Sequence, residues 1–235
     1  MQKHSKKPIF SDDTLPGTEL IGLEKLFSED SQNSRFKKIL GGNAVETYLN
    51  IKEDLFNCLV QRNLVPTDDE IFLSWQTAAN HQANLILMWK GIAEGNWASL
   101  ERAIRSTASN YKAVLTVFTG VHNILRLKND QGNFQKITMT PSDSFGVPKY
   151  IWKTIKYNKF SMAFVTLNNP YADDADLAEL SELCPDAPCD AYLWFFDHDR
   201  KSVKKGYTIC CKVIELAKNI PNIPAEAITD GNLYG

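Results

Sequence analysis

The sequence predicts an α+β fold with an antiparallel sheet, on three observations. Apolar residues recur at helical spacing through the first half, from Phe36 onward. β-Branched and aromatic runs closed by turn residues follow, "AVLTVFTGV" at 113 to 121 and "SMAFVTLNN" at 161 to 169, with "KYIWKTIKY" alternating between them. Helices first and strands second, with no internal repeat, argue against a parallel doubly wound sheet.

Taken in order, residues 1 to 34 are polar apart from "TELIGLEKLF" and read as an extended arm with one short ordered piece, leaving 35 to 235 as a single domain. "SRFKKILGGNAVETYLNIKEDLF" predicts a helix stopped by Gly41 and Gly42, then a second helix with Val45, Tyr48, Ile51 and Leu55 on one stripe. A third helix is expected from Asp69 to Met88. In "WKGIAEGNWASLERAIRSTASNY", Trp97, Leu100 and Ile104 make an apolar stripe, while Glu101 and Arg105 share another face.

Composition narrows function less than fold. The 235 residues are 43% hydrophobic, enough for one sizeable core. No run of eighteen apolar residues occurs and the first residues are polar, so neither a membrane span nor a signal peptide is expected in this chain; it reads as cytosolic, or as secreted with its leader removed. A formal charge of -2 argues against binding polyanions through bulk charge and leaves only a local basic patch for that purpose.

Four of the five cysteines, Cys184, Cys189, Cys210 and Cys211, crowd into the last quarter, with Cys58 apart. No Cys-x-x-Cys pair or neighbouring histidine suggests zinc. Adjacent Cys210 and Cys211 would point to opposite faces of a strand, so they take different partners or one stays free.

Several stretches admit a sharp and a bland reading. "VPKYIWKTIKYNK" interleaves Lys149, Lys153, Lys156 and Lys159 with Tyr150, Trp152 and Tyr157, a mixture suited to phosphates and bases. It equally suits a strand with an aromatic core face and solvated lysines; period two places Lys149 and Lys153 on one face and Trp152 on the other. "DRKSVKKG" is a second basic cluster, of the kind common in soluble turns. The segment 171 to 190 carries seven carboxylates and no lysine or arginine, lacks calcium-loop spacing, and reads as a solvated helix and loop. Asp197, His198 and Asp199 lack a recognisable nucleophile and read as a turn, and His81 reads as a packing residue.

Five pieces in order, "GNWASLERAIR", "LTVFTG", "VPKYIWK", "LNNPYA" and "KGYTICCKV", resemble the DNA/RNA non-specific endonucleases of the endonuclease G and Serratia type, particularly their insect members, over roughly residues 36 to 225. The resemblance implies a ββα-metal (His-Me finger) nuclease fold that hydrolyses DNA and RNA. It also implies a histidine base in an Arg-Gly-His motif, an asparagine holding Mg²⁺, and a supporting glutamate and arginine on one helix. Phosphodiester hydrolysis needs both parts, a base to make the nucleophile and a cation to neutralise the developing charge.

Laid on this chain without gaps, the motif puts Gln61, Arg62 and Asn63 where the family has Arg-Gly-His, and Ala93 where it has the metal-binding asparagine. An amide cannot accept a proton near neutral pH, and a methyl group has no lone pair. Asn84, Trp89, Gly95, Asn96, Trp97, Glu101 and Arg105 match the pattern, whereas Met88 replaces a glutamine.

The resemblance therefore implies a nuclease homologue without an intact catalytic set, its Mg²⁺ site lost and no cofactor in its place. It would bind DNA or RNA non-specifically through the remnant cleft, with Arg62, Asn84, Trp89, Arg105, Lys149 and Lys153 as the contacts. More loosely, it extends to the salivary nucleic-acid-binding proteins of tsetse flies. Two alternatives stay open: an active or weakly active Mg-dependent endonuclease, and an interaction or storage protein that no longer binds nucleic acid. By the same resemblance Cys184 and Cys211 form a disulfide, which implies a secreted protein. No membrane partner is expected, and family members often pair, so a homodimer is possible.

Overall fold

A computed structural model describes residues 3–4, 28–49, 57–66, 84–140, 145–187, 199–229 and 231–232. Their strands, in chain order, are β1 (Lys3–His4), β2 (Leu59–Asn63), β3 (Leu85–Trp89), β4 (Thr116–Ile124), β5 (Arg126–Lys128), β6 (Phe134–Lys136), β7 (Pro148–Tyr157), β8 (Phe160–Leu167), β9 (Thr208–Cys211) and β10 (Gly231–Asn232). The helices are α1 (Glu29–Leu40), α2 (Gly42–Tyr48), α3 (Lys90–Glu94), α4 (Asn96–Asn110), α5 (Asp174–Leu183) and α6 (Val213–Asn219). This is the expected α+β class, and contacts group the chain into two compact units.

One unit comprises residues 1–9, 92–122 and 150–235 and holds the large sheet, with strand order β1-β4-β7-β8-β10 and β9 also paired to β8. Its centre is antiparallel, β7 on β8 and β8 on β9; the two-residue strands β1 and β10 pair in parallel. Trp152 faces a core with Val165, Leu167, Ile209, Leu180 and Leu216, so α5 and α6 pack on that side. The opposite side of β7 carries Lys153, which reaches Trp97 and Glu101 of α4. Covered on both faces, Ile151 to Ile155 are all buried. The solvated-lysine expectation therefore fails for Lys153, although the predicted opposition of Lys153 and Trp152 holds.

α5 begins where Asp173 accepts the backbone N–H groups of Ala175 and Asp176, both at 3.1 Å. Asp174 and Asp176 then sit in the first turn, where the helix dipole favours negative charge. Part of the acidic segment is thus helix-starting chemistry. Its end is covalently tied: Cys184 and Cys211 form a disulfide with Cα atoms 6.0 Å apart. Closing a 27-residue separation stabilises the fold by about 3–4 kcal/mol on the loop-entropy argument. Cys210 belongs to another disulfide, so the two adjacent cysteines do take different partners.

The second unit comprises residues 10–91 and 123–149. α1 starts at Glu29, inside the stretch expected to be an arm, because Ser28 caps it by accepting the Ser31 N–H. Gly41, at φ 98°, ends it. Buried Gln32 accepts the N–H of Leu59 at 3.0 Å and donates to its carbonyl at 2.8 Å, which fixes the start of β2. Arg35 binds the carbonyls of Thr138 and Thr140, both at 2.7 Å.

β2 and β3 are antiparallel, from Leu59 opposite Trp89 to Asn63 opposite Leu85. Residues 85 to 88 are therefore strand, not the end of a helix as expected. The run "LILMW" is apolar at every position, a pattern that periodicity cannot divide between helix and strand, and pairing with "LVQRN" decides it. Residues 69 to 83 of that expected helix and the "TELIGLEKLF" piece lie outside the described residues.

Candidate functional site

"QRNLVP" is the end of a strand and the turn after it. Arg62 lies opposite Ile86 and Asn63 opposite Leu85, and both are half-buried. Alternation along β2 turns Arg62 to the face opposite Gln61 and Asn63. The turn is pinned by Asn84, whose carbonyl accepts the Leu64 N–H at 2.8 Å. Its side-chain amide accepts the Val65 N–H at 3.1 Å and donates to the Val65 carbonyl at 3.2 Å. The amide of Asn84 is thus engaged in holding the chain.

In the same unit Trp89 is fully buried and meets Phe36 edge-on, with ring centroids 6.1 Å apart. Its ring packs in the core and offers no face to a base, which corrects the expectation that it contacts nucleic acid. Met88 is also fully buried, and Lys149 is half-buried.

In the first unit the helical residues take different roles. Ala93 is a fully buried methyl on α3. Gly95 interrupts the helix, with φ -86° and ψ -121°, before α4 begins. Asn96 donates from its side chain to the carbonyls of Asp199 at 3.0 Å and Gly206 at 2.7 Å, while its N–H donates to the Lys205 carbonyl at 2.9 Å. This holds the "DRKSVKKG" turn on the helix. There Arg200 is buried against Asp186, Lys201 pairs with Asp186, and Lys205 pairs with Asp199. Most of the second basic cluster is spent on structural pairs. Asp197, His198 and His81 lie outside the described residues.

Glu101 and Lys153 are the candidate residues that the fold brings into contact. The ammonium of Lys153 stands 3.7 Å from a Glu101 oxygen, 2.9 Å from the Thr119 hydroxyl and 4.8 Å from the Trp97 ring centroid. Nothing in local spacing could have paired residues so far apart in the chain. Arg105, one turn beyond Glu101, is half-buried.

The resemblance implies a Mg²⁺ ion held by an asparagine at the Ala93 position. Such an ion takes oxygen ligands. Ala93 offers none, and the Glu101 carboxylate already faces an ammonium. Among the described residues no three His, Cys, Asp or Glu side chains come together as a metal cluster.

On the other face of the sheet, Tyr150 is buried and its hydroxyl is pushed far above the ordinary phenol range, by burial first and then by the Glu179 carboxylate. The His122 ring stacks on it at 6.3 Å, and burial lowers that imidazole against the opposing pull of Glu179. Tyr150 is one of the rings interleaved with the lysines of β7, whereas spacing does not single out His122.

Comparison with known proteins covers most of the chain. The sequence model of the DNA/RNA non-specific endonucleases matches residues 64–215. That span begins just after Asn63 and includes Ala93, Glu101, Arg105 and Lys153. A salivary endonuclease of Lutzomyia longipalpis is 27% identical over 218 residues, covering 90% of this chain and 49% of that protein. Two salivary proteins of Glossina morsitans morsitans, Tsal2A and Tsal1, are each 25% identical, covering 90% and 89% of this chain and 51% and 55% of theirs. The chain spans about half the length of the relatives it matches. With a family match over more than half its residues and the α+β architecture in place, this chain belongs to the DNA/RNA non-specific endonuclease family.

Proposed function

We propose that this chain binds DNA or RNA without sequence preference and does not cleave it. The observation that carries the reading is Ala93, a fully buried methyl where the family pattern places the magnesium-holding asparagine. Asn63 at the base position adds to it, since an amide has no useful basicity near neutral pH. General-base catalysis contributes typically about 10²–10⁴-fold, and loss of the cation removes its charge stabilisation as well. What remains is a family scaffold in which Arg62, Arg105 and Lys149, each half-buried, are the candidate phosphate contacts. Lys153, committed to Glu101, would shape the site without touching nucleic acid.

Disulfides at Cys184, Cys210 and Cys211, together with relatives named as salivary proteins, support a secreted protein in an oxidising compartment. One relative's name, salivary endonuclease, favours a second reading in which slow cleavage survives. A salt series of gel shifts with duplex DNA, run beside plasmid digestion in Mg²⁺ or Mn²⁺, separates the two. Retarded, uncut DNA supports binding without cleavage, and EDTA-sensitive nicking supports the surviving enzyme. Neither retardation nor nicking would defeat both.

A further inference from the structure

We propose that the solvent face of the β5–β6 hairpin is a contact surface for single-stranded nucleic acid, additional to the remnant cleft; this rests on the nucleic-acid-binding reading above. Register pairs Arg126 with Lys136, Leu127 with Gln135 and Lys128 with Phe134. Leu127 is buried, so alternation turns Arg126, Lys128, Phe134 and Lys136 together toward water. Four neighbouring outward positions thus hold three cations and a ring.

Two features of this face work against stability. Arg126 and Lys136 are like charges directly opposite each other, an arrangement that destabilises an antiparallel pair. Among the described residues no carboxylate forms an ion pair with either of them or with Lys128. Phe134 is 52% exposed where a polar residue would serve the fold as well. Its ring lies 5.3 Å from the Lys128 ammonium, and Arg126 donates to its carbonyl at 3.3 Å, so ring and cations are presented as one patch.

The patch is also held in place. Asn129 accepts the N–H groups of Gln131 at 3.1 Å and Asn133 at 2.8 Å, forming the turn. Asp130 donates its N–H to the Leu40 carbonyl and accepts the Ala44 N–H, both at 2.8 Å, anchoring the hairpin to the end of α1. That use commits the turn's carboxylate to a backbone cap. Exposed Lys37 and Lys38 lie in the last turn of the same helix.

Cations spaced along a ribbon around one exposed aromatic ring match a chain of phosphates carrying unstacked bases. A duplex would meet the cations but could not lay a base on Phe134. A sulfated polysaccharide would use the charges and ignore the ring.

The test is fluorescence anisotropy with a labelled oligo-dT strand and a labelled duplex across a salt series. The wild type is compared with Arg126→Ala/Lys128→Ala/Lys136→Ala, with Phe134→Ala, and with the charge-matched control Lys204→Ala/Lys212→Ala/Lys218→Ala. The hairpin triple variant is expected to flatten the single-strand salt slope by about 2, at roughly 0.7 per phosphate contact, while the control keeps the wild-type slope. Phe134→Ala is expected to weaken oligo-dT binding by about fivefold or more with little change for the duplex. Equal affinity and slope for wild type and hairpin variants would overturn the proposal while leaving cleft binding intact. So would an equal loss of oligo-dT and duplex binding in the triple variant with no effect of Phe134→Ala. Failure of the wild type to bind any nucleic acid would remove the underlying reading instead.

Discussion

The ammonium of Lys153 lies 3.7 Å from the carboxylate of Glu101, and both side chains are almost wholly excluded from solvent. Taking one partner from a buried pair leaves a charge with neither water nor counter-ion, which costs about 3–5 kcal/mol. Lys153→Met is expected to destabilise by that order in urea unfolding, with an added loss from the Trp97 and Thr119 contacts. Glu101→Gln/Lys153→Met, which removes both charges, should recover much of it. Single substitutions costing under about 1 kcal/mol and adding independently would show that the two do not act as a pair.

Gly206 sets a second test. It stands at φ +92°, and a Cβ there would lie 2.7 Å from Ile92 Cγ2 and 2.9 Å from Thr166 Cγ2. Gly132 has a similar φ of +80° with open space around it. Gly132→Ala should cost only the backbone term, about 1–2 kcal/mol. Gly206→Ala should cost clearly more in the same thermal or urea melt, because it adds the steric one. Equal losses would contradict the packing of the "DRKSVKKG" turn against Ile92 of α3 and Thr166 of β8.

The pair His122 and Tyr150 predicts how stability follows pH. Burial lowers the folded-state affinity of His122 for a proton, so the unfolded chain binds protons first as pH falls. Stability is therefore expected to decline below about pH 6.5, the ordinary histidine value. Tyr150 is raised, so the unfolded chain loses its phenolic proton first, and stability should decline again above about pH 10. Urea midpoints across pH check both limbs. Tyr150→Phe should flatten the alkaline limb, and an unchanged limb would assign it to another group.

Much of this fold is legible in the sequence because its signals are local. Gly41 ends α1, the stripe of Trp97, Leu100 and Ile104 marks α4, and β-branched runs mark β4 and β8. Partners far apart in the chain are not legible. Lys153 reads as a surface lysine until the sheet places α4 above it, and Asn96 reads only as a match to the family pattern until it is seen to hold the turn at Asp199 and Gly206. Trp89 matches a family pattern and sits in "LILMW", where burial on a paired strand takes it out of reach of a ligand. The Cys184–Cys211 bridge was implied by resemblance alone, since three pairings of four cysteines satisfy the spacing equally.

Plasmid nicking by the purified protein, with Mg²⁺ or Mn²⁺ and with EDTA as control, tests the central claim most directly. No metal-dependent cleavage is expected from the wild type, with activity emerging in Asn63→His/Ala93→Asn. EDTA-sensitive cleavage by the unaltered chain would contradict the account.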